Sequence, residues 1–323
     1  MSSRLLWYAF HRILLVIPTL LSVAVLVFFM LRVIPGDIVE VKLRADGGAV
    51  TQDVIESERK RLGLDRPLAR QFGDWMIGLV TLDLGKSMWT EQPVIDEIAV
   101  RFPLTLEVAI LATIVAVLIA IPLGTLSALY RNTGFDYAIR IFTIAGLATP
   151  PFWLGMMIIL ALLLGFKWLP PLTFTPIWVD PWENLSQLIW PSLAVGYRYS
   201  AVVSRMLRSS IIEVMGEDYI RTARAKGVDE RRVVMHHAMR NAMLATVTVI
   251  GLEFAFLIGG LVVTEQVFSL NGIGRLFVQA VSRSDFTLIQ GLVMLIALVF
   301  MLTNLAVDLI TAWLDPRIRE GGK

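Results

Sequence analysis

Charged and apolar residues in this chain fall in separate blocks. From Ile13 to Leu31 nineteen consecutive residues carry no charge, and Arg12 and Arg32 close the run at its two ends. Comparable apolar stretches cover about residues 104–130, 139–166, 188–207, 243–264 and 286–314. A helix needs about 20 apolar residues to cross the hydrocarbon core of a bilayer. Lipid cannot satisfy an open sheet edge, so the crossing elements must be helices. The pattern predicts an all-α membrane protein with six transmembrane helices, the fourth of them the weakest because Arg198 interrupts it. The chain divides into a short N-terminus with the first helix (1–33), a large loop (34–102), a five-helix core (103–315) and a tail (316–323). The core includes a polar segment at 205–241.

Composition agrees with lipid as the main solvent. Hydrophobic residues make up 56% and charged residues 17%, and the mean hydropathy is +0.69; soluble domains average about a quarter charged. A net charge of +2, from 29 basic and 27 acidic residues, leaves no electrostatic footprint for nucleic acid. The absence of cysteine excludes disulfide scaffolds, thiolate zinc sites and thiol catalysis, and three histidines argue against a histidine-rich metal site.

Basic residues in short loops set orientation. Arg4, Arg12, Arg131, Arg140, Arg317, Arg319, Lys323 and the eight basic residues from Arg205 to Arg240 fall on one side of the six-span arrangement. Short loops on the other side hold Lys167, Arg275 and Arg283. Both termini are therefore expected in the cytoplasm. The 32–101 segment carries ten basic and twelve acidic residues, and a loop of that length crosses regardless of charge. The first span follows Arg4, His11 and Arg12 like a signal peptide, but it is long and no A-x-A site follows it, so a retained anchor is expected.

Two polar pieces remain. The outer loop has turn signals at Pro35-Gly36-Asp37 and Gly47-Gly48, then a helical stretch from Asp53 to Leu62. In the inner segment Met206, Leu207, Ile211, Ile212 and Met215 recur near helical spacing, Gly216 and Gly227 punctuate, and Val233-Val234-Met235 open a second amphipathic stretch. A polar helical hairpin exposed there needs a partner or a membrane surface. The nearest nucleotide-binding signature, Val80 to Ser87, has valine where a P-loop needs its first glycine, and it lies in the outer loop. No catalytic motif is visible, and the chain is expected not to be an enzyme.

Asp218-Tyr219-Ile220-Arg221-Thr222-Ala223-Arg224-Ala225-Lys226-Gly227 resembles the coupling motif of ABC importer permeases, in its oligopeptide/dipeptide version. Arg221-Thr222-Ala223 stands at the E-A-A positions and Gly227 is kept, while His237-Ala238-Met239-Arg240 replaces the usual I-x-L-P ending. Leu62 to Pro67, Leu82 to Ser87 and Phe102 to Glu107 look like the outer loop of the B-type subunit. Glu265-Gln266-Val267-Phe268 and Asn271-Gly272-Ile273-Gly274 look like the stretch after the family's fifth helix, with Asn271 where proline is usual.

The resemblance implies the MetI-like fold of a type I importer in a bacterial inner membrane, with a large periplasmic loop after the first helix. It implies a heterodimer with a second, C-type permease, two ABC ATPases that bind the ATP and Mg, and a periplasmic or lipid-anchored substrate-binding protein. The chain itself is expected to hold no cofactor or metal. Di- or oligopeptides are the expected cargo; glutathione, metal chelates and oligosaccharides are carried by relatives. Asp218, Tyr219, Arg221, Thr222, Ala223, Arg224, Ala225, Lys226 and Gly227 would contact an ATPase. Tyr219, Ala223 and Gly227 share a face at i, i+4 and i+8 that suits a groove. A stand-alone secondary transporter is the rival reading, and the internal repeat typical of that class is not evident.

Two further residues come from cost rather than resemblance. Glu253 and Arg198 sit near the centres of the fifth and fourth spans. A charge there costs about 2.5–3.5 kcal/mol on insertion scales, so it faces protein or water. Either both line a translocation path, paired or separately, or each is locally solvated, or the fourth span is shifted and Arg198 lies near an interface. Glu107 is expected in a structural role, Pro150-Pro151 as a kink, and His236-His237 on the docking face.

Overall fold

The computed structural model describes residues 3–33, 51–61 and 63–314. The turn signals at Pro35-Gly36-Asp37 and Gly47-Gly48 and the 316–323 tail lie outside them. The first elements are α1 (Ser3–Val33), α2 (Gln52–Arg61), α3 (Leu68–Thr81), α4 (Val94–Leu129), α5 (Gly134–Ala148) and α6 (Pro151–Phe166). They are followed by α7 (Pro181–Met215), α8 (Asp218–Ala225), α9 (Glu230–Gly260), α10 (Val262–Val267), α11 (Ile273–Ser282) and α12 (Phe286–Leu314).

Among the described residues, α1, α4, α9 and α12 contain stretches long and apolar enough to span a membrane, and the bent pair α5–α6 makes a fifth. The third predicted span is thus not one helix. Its two halves meet at 99°, more than the kink expected from the sequence. Pro150 disfavours the α conformation at Thr149, which is extended, and Pro151 restarts the helix at its first position.

The fourth predicted span lies inside α7, a helix of 35 residues and so about 50 Å long. Its composition does not suit lipid because protein encloses it: Asn184, Gln187, Ser192, Ser200 and Ser204 are all buried. Its main partner is α4, and small residues make that contact close. Ala112, Ala116, Ala120, Gly124 and Ala128 recur every fourth residue on α4 and are buried. Ser192, Gly196, Ser200 and Ser204 do the same on α7. A side chain added at Gly196 would put its Cβ 2.7 Å from the Ala112 carbonyl, and one at Gly124 would lie 2.8 Å from the Ser204 carbonyl. Between apolar helices in lipid such close packing replaces the absent hydrophobic drive.

The other helices gather around this pair. Leu104, Val108, Leu188, Val195, Leu257 and Leu261 form the main core between α4, α7 and α9. The first span, α1, packs along α12, and its Phe28 inserts against Phe72 and Trp75 of α3.

Gly196→Val is expected to destabilise the purified chain by about 1–3 kcal/mol through overpacking, read as a lowered midpoint of thermal unfolding. Gly165→Val, at a position with nothing within 4 Å of the added Cβ, is expected to leave the midpoint unchanged.

Candidate functional site

The motif helix α8 is a short element held by one buried side chain. Ile220 is fully buried with Val233 and Ala238, and Val214, Met215, Ala223 and Val228 pack around them. Asp218, Tyr219, Arg221, Thr222, Arg224, Ala225, Lys226 and Gly227 are exposed, whereas Ala223 is half-buried against the Ile220 cluster. The face predicted from Tyr219, Ala223 and Gly227 is therefore open at its two ends and packed in its middle. Ile220 went unnoticed in the sequence; the signal was an apolar residue isolated in a polar run.

Gly227 ends α8 by backbone geometry. Its φ is +77°, its N–H donates to Arg224 O at 2.9 Å, and Val228 N–H reaches back to Ala223 O at 3.2 Å. This is the paired bonding of a Schellman cap, completed by the packing of Val228 and Ala223 in one cluster. No atom lies within 4 Å of a Cβ added at Gly227, so the space beside it is open.

Polar bonds fix α8 to its neighbours. Arg224 grips Glu230 at the start of α9 with two bonds, at 2.6 and 3.0 Å, which holds the guanidinium above its ordinary pKa range. Asp218 pairs with Arg221 at 3.2 Å, and the Asn241 amide donates to the Tyr219 hydroxyl. The residues from Val233 to Ala238, including His236 and His237, form a π-helical turn within α9, a device frequent at functional sites. A cavity of about 820 Å3 opens beside it, lined by Glu213, Glu217, Tyr219, His236, Arg240 and Leu314 among others.

A second cluster at this end went unread in the sequence. Asp136 of α5 is fully buried and receives Arg208 of α7 at 2.8 and 3.1 Å. Ser127 of α4 donates to the same carboxylate and accepts from Arg208 at 2.9 Å, and Asn132 N–H adds a bond at 3.0 Å. Three helices are joined at one ion pair.

Arg198 stands at the midpoint of α7 and is exposed, its guanidinium 5.9 Å from the Tyr199 ring centroid. Glu253 of α9 is half-buried and close enough for Arg198 and Tyr199 to interact with it electrostatically. The structure thus brings the two sequence-predicted charges into one neighbourhood. It records neither an ion pair nor a hydrogen bond between them.

At the opposite end the remaining motif stretches fold together. The loop from Leu82 to Ser87 turns at Gly85 (φ +79°), and Ser87 Oγ and Met88 N–H donate to buried Asp285 at the start of α12. Lys86-Ser87 therefore belongs to a latch. Glu265 accepts from Thr105 at 2.7 Å and from Arg275 N–H at 2.8 Å, at the start of α11. Burial pushes its carboxyl above the ordinary range against those bonds. Gly272 leaves no room for a side chain beside Glu265 and Thr105. Glu107 accepts from Asn184 and from Ile177 N–H, tying the 167–180 loop to α4 and α7 in the structural role expected of it.

Replacing Asp136 by Ala is expected to cost about 3 kcal/mol, the low end for breaking a buried pair, because Arg208 stays 22% exposed. Ser127→Ala is expected to cost about 1 kcal/mol. Thermal unfolding of each variant and of the double variant measures both, and the double is expected to fall short of their sum because the groups share one network.

Residues 120–320 match the family described as binding-protein-dependent transport system inner membrane component. Residues 5–109 match its N-terminal membrane component. The glutathione transport system permease protein GsiC of Escherichia coli (strain K12) is 42% identical over 312 residues, covering 97% of this chain and 98% of that protein. The protein of the same name in Shigella boydii serotype 4 (strain Sb227) is 41% identical over the same length. Among solved structures, an amino acid ABC transporter with histidines gives a TM-score of 0.46 at 16% identity, covering 69% of this chain and 93% of that one.

Proposed function

Since the chain belongs to the family of binding-protein-dependent transport system inner membrane components and is a permease subunit of an ABC importer, we propose that it forms half of a path for short peptides. In this reading Arg198 and Glu253 line the path, and Asp218 to Gly227 dock an ATPase. The partners are a second, C-type permease, two ATPases that bind ATP and Mg, and a substrate-binding protein outside the membrane. The basic end is cytoplasmic, as the loop charges require.

The observation that carries the path is the exposure of Arg198 at the middle of a 35-residue helix. A guanidinium at that depth does not face hydrocarbon; it faces water or protein. A short peptide brings a carboxylate for Arg198, which recognises it bidentately, and an ammonium for Glu253. The name of the 42% identical relatives, glutathione transport system permease, supports a tripeptide-sized cargo of this kind.

The ATPase docking rests on α8. Its polar face has space beside Gly227, and Arg224–Glu230 and the Ile220 cluster tie it to α9. A push on α8 would pass through the π turn into the helix that carries Glu253.

Uptake into vesicles holding the full transporter tests the path. Arg198→Gln and Glu253→Gln are each expected to lower peptide transport about tenfold, the loss of one charged hydrogen bond. The two losses are expected to multiply in the double variant, since each group serves the solute separately. Wild-type rates in both single variants would contradict the assignment. Gly227→Trp is expected to leave the assembly intact while cutting solute-stimulated ATP hydrolysis at least tenfold, roughly the loss of one well-placed contact; unchanged stimulation would remove Gly227 from the docking surface.

A further inference from the structure

A second cavity, of about 780 Å3, opens on α8 between the end of α4, the end of α7 and the start of α9. Its walls are of two kinds. Leu129, Met215, Val234 and Met235 make an apolar wall, while Arg131 and Arg231 line the same space. Arg224 and Glu230 also line it, but they neutralise each other across 2.6 Å. Arg131 and Arg231 are exposed and have no ion-pair partner among the described residues. The cavity therefore holds two uncompensated guanidinium groups beside apolar surface that water wets poorly.

Its depth is set by α4. Leu129 is the last residue of a helix long and apolar enough to cross a membrane, and Tyr130, exposed next to it, is the kind of ring that settles among headgroups. The space thus lies where hydrocarbon meets the phosphate layer. A nucleotide or a soluble anion would satisfy the two arginines and leave Leu129 and Met235 in water. A neutral lipid would cover the apolar wall and leave the charges unmatched.

We propose that this cavity binds an anionic phospholipid, the phosphate held by Arg131 and Arg231 and an acyl chain laid against Leu129, Val234 and Met235. Basic pockets between transmembrane helices at this level recognise such headgroups, and the guanidinium fork suits a phosphate. The lipid would then touch both α4 and the first residues of α9, next to the Arg224–Glu230 clasp that ties α8 in place. The inference requires only that α4 ends at the membrane boundary, and it stands whichever solute is carried.

Native mass spectrometry tests it on the chain in the assembled transporter, after incubation with vesicles of phosphatidylcholine and phosphatidylglycerol in equal parts. Phosphatidylglycerol is expected to be retained in preference to phosphatidylcholine. Each guanidinium near an anionic surface contributes about fivefold, so Arg131→Gln with Arg231→Gln is expected to lower the preference about 25-fold. Arg131→Lys with Arg231→Lys should keep most of it. Met235→Trp, which fills the apolar wall and leaves both charges, should lower retention of both lipids; these last variants decide if the glutamine pair does not assemble. Arg140→Gln, an exposed arginine stacked at 5.5 Å over Tyr137 outside the cavity, should change nothing. Equal retention of the two lipids by the unaltered protein would overturn the proposal. So would an equal loss with Arg140→Gln, or retention of phosphatidylglycerol that appears only after the ATPases are stripped from the transporter, which would make the cavity a protein-docking surface.

Discussion

The architecture depends on how closely α4 and α7 approach. In lipid there is no gain from hiding apolar side chains, so two helices hold together by packing and by polar bonds. The four-residue recurrence of alanine, glycine and serine on both helices lets backbones touch, with Gly196 against the Ala112 carbonyl and Gly124 against the Ser204 carbonyl. Polar anchors then secure the seam at its two ends. Arg208, Asp136 and Ser127 join α7, α5 and α4 at one, and Glu107 with Asn184 joins α4 and α7 at the other.

That seam also determines where Arg198 points. At 100° per residue, Arg198 lies about 200° around α7 from Gly196 and from Ser200, so closing the small-residue face on α4 turns the arginine away from it. The same rotation leaves it exposed near Glu253 of α9. A rigid pair of helices thus presents one charged position on a face that the single chain does not cover. The proposed pairing with a second permease needs such a face.

Much of this architecture is legible in the sequence. The last helix, Phe286–Leu314, falls where its apolar run does, because its flanks are polar and an apolar helix half-buried against α1 and α9 keeps one continuous hydropathy signal. The helix at Gln52–Arg61 was predicted within a residue or two. Gly227 was read as a stop, and its left-handed φ explains why glycine is there. The 99° bend was only half visible, since prolines reveal where a helix breaks but not the angle that tertiary packing then selects. The α7 helix reads as the weakest span because Arg198 interrupts its apolar run, and the sequence does not show the protein that encloses its other polar residues. The Asp136–Arg208 pair could not be read at all. Its members stand 72 residues apart, and the packing of α5 against α7 brings them together.

Because the chain contains no cysteine, one introduced thiol reports on one position alone. The most direct measurement places cysteine at position 198, at 253, or at Ala112 within the seam, and exposes the assembled transporter to a membrane-impermeant thiol reagent with and without nucleotide. The account predicts that positions 198 and 253 react in at least one nucleotide state and that position 112 stays protected in all of them. Protection of both 198 and 253 in every state, or ready labelling at 112, would contradict it.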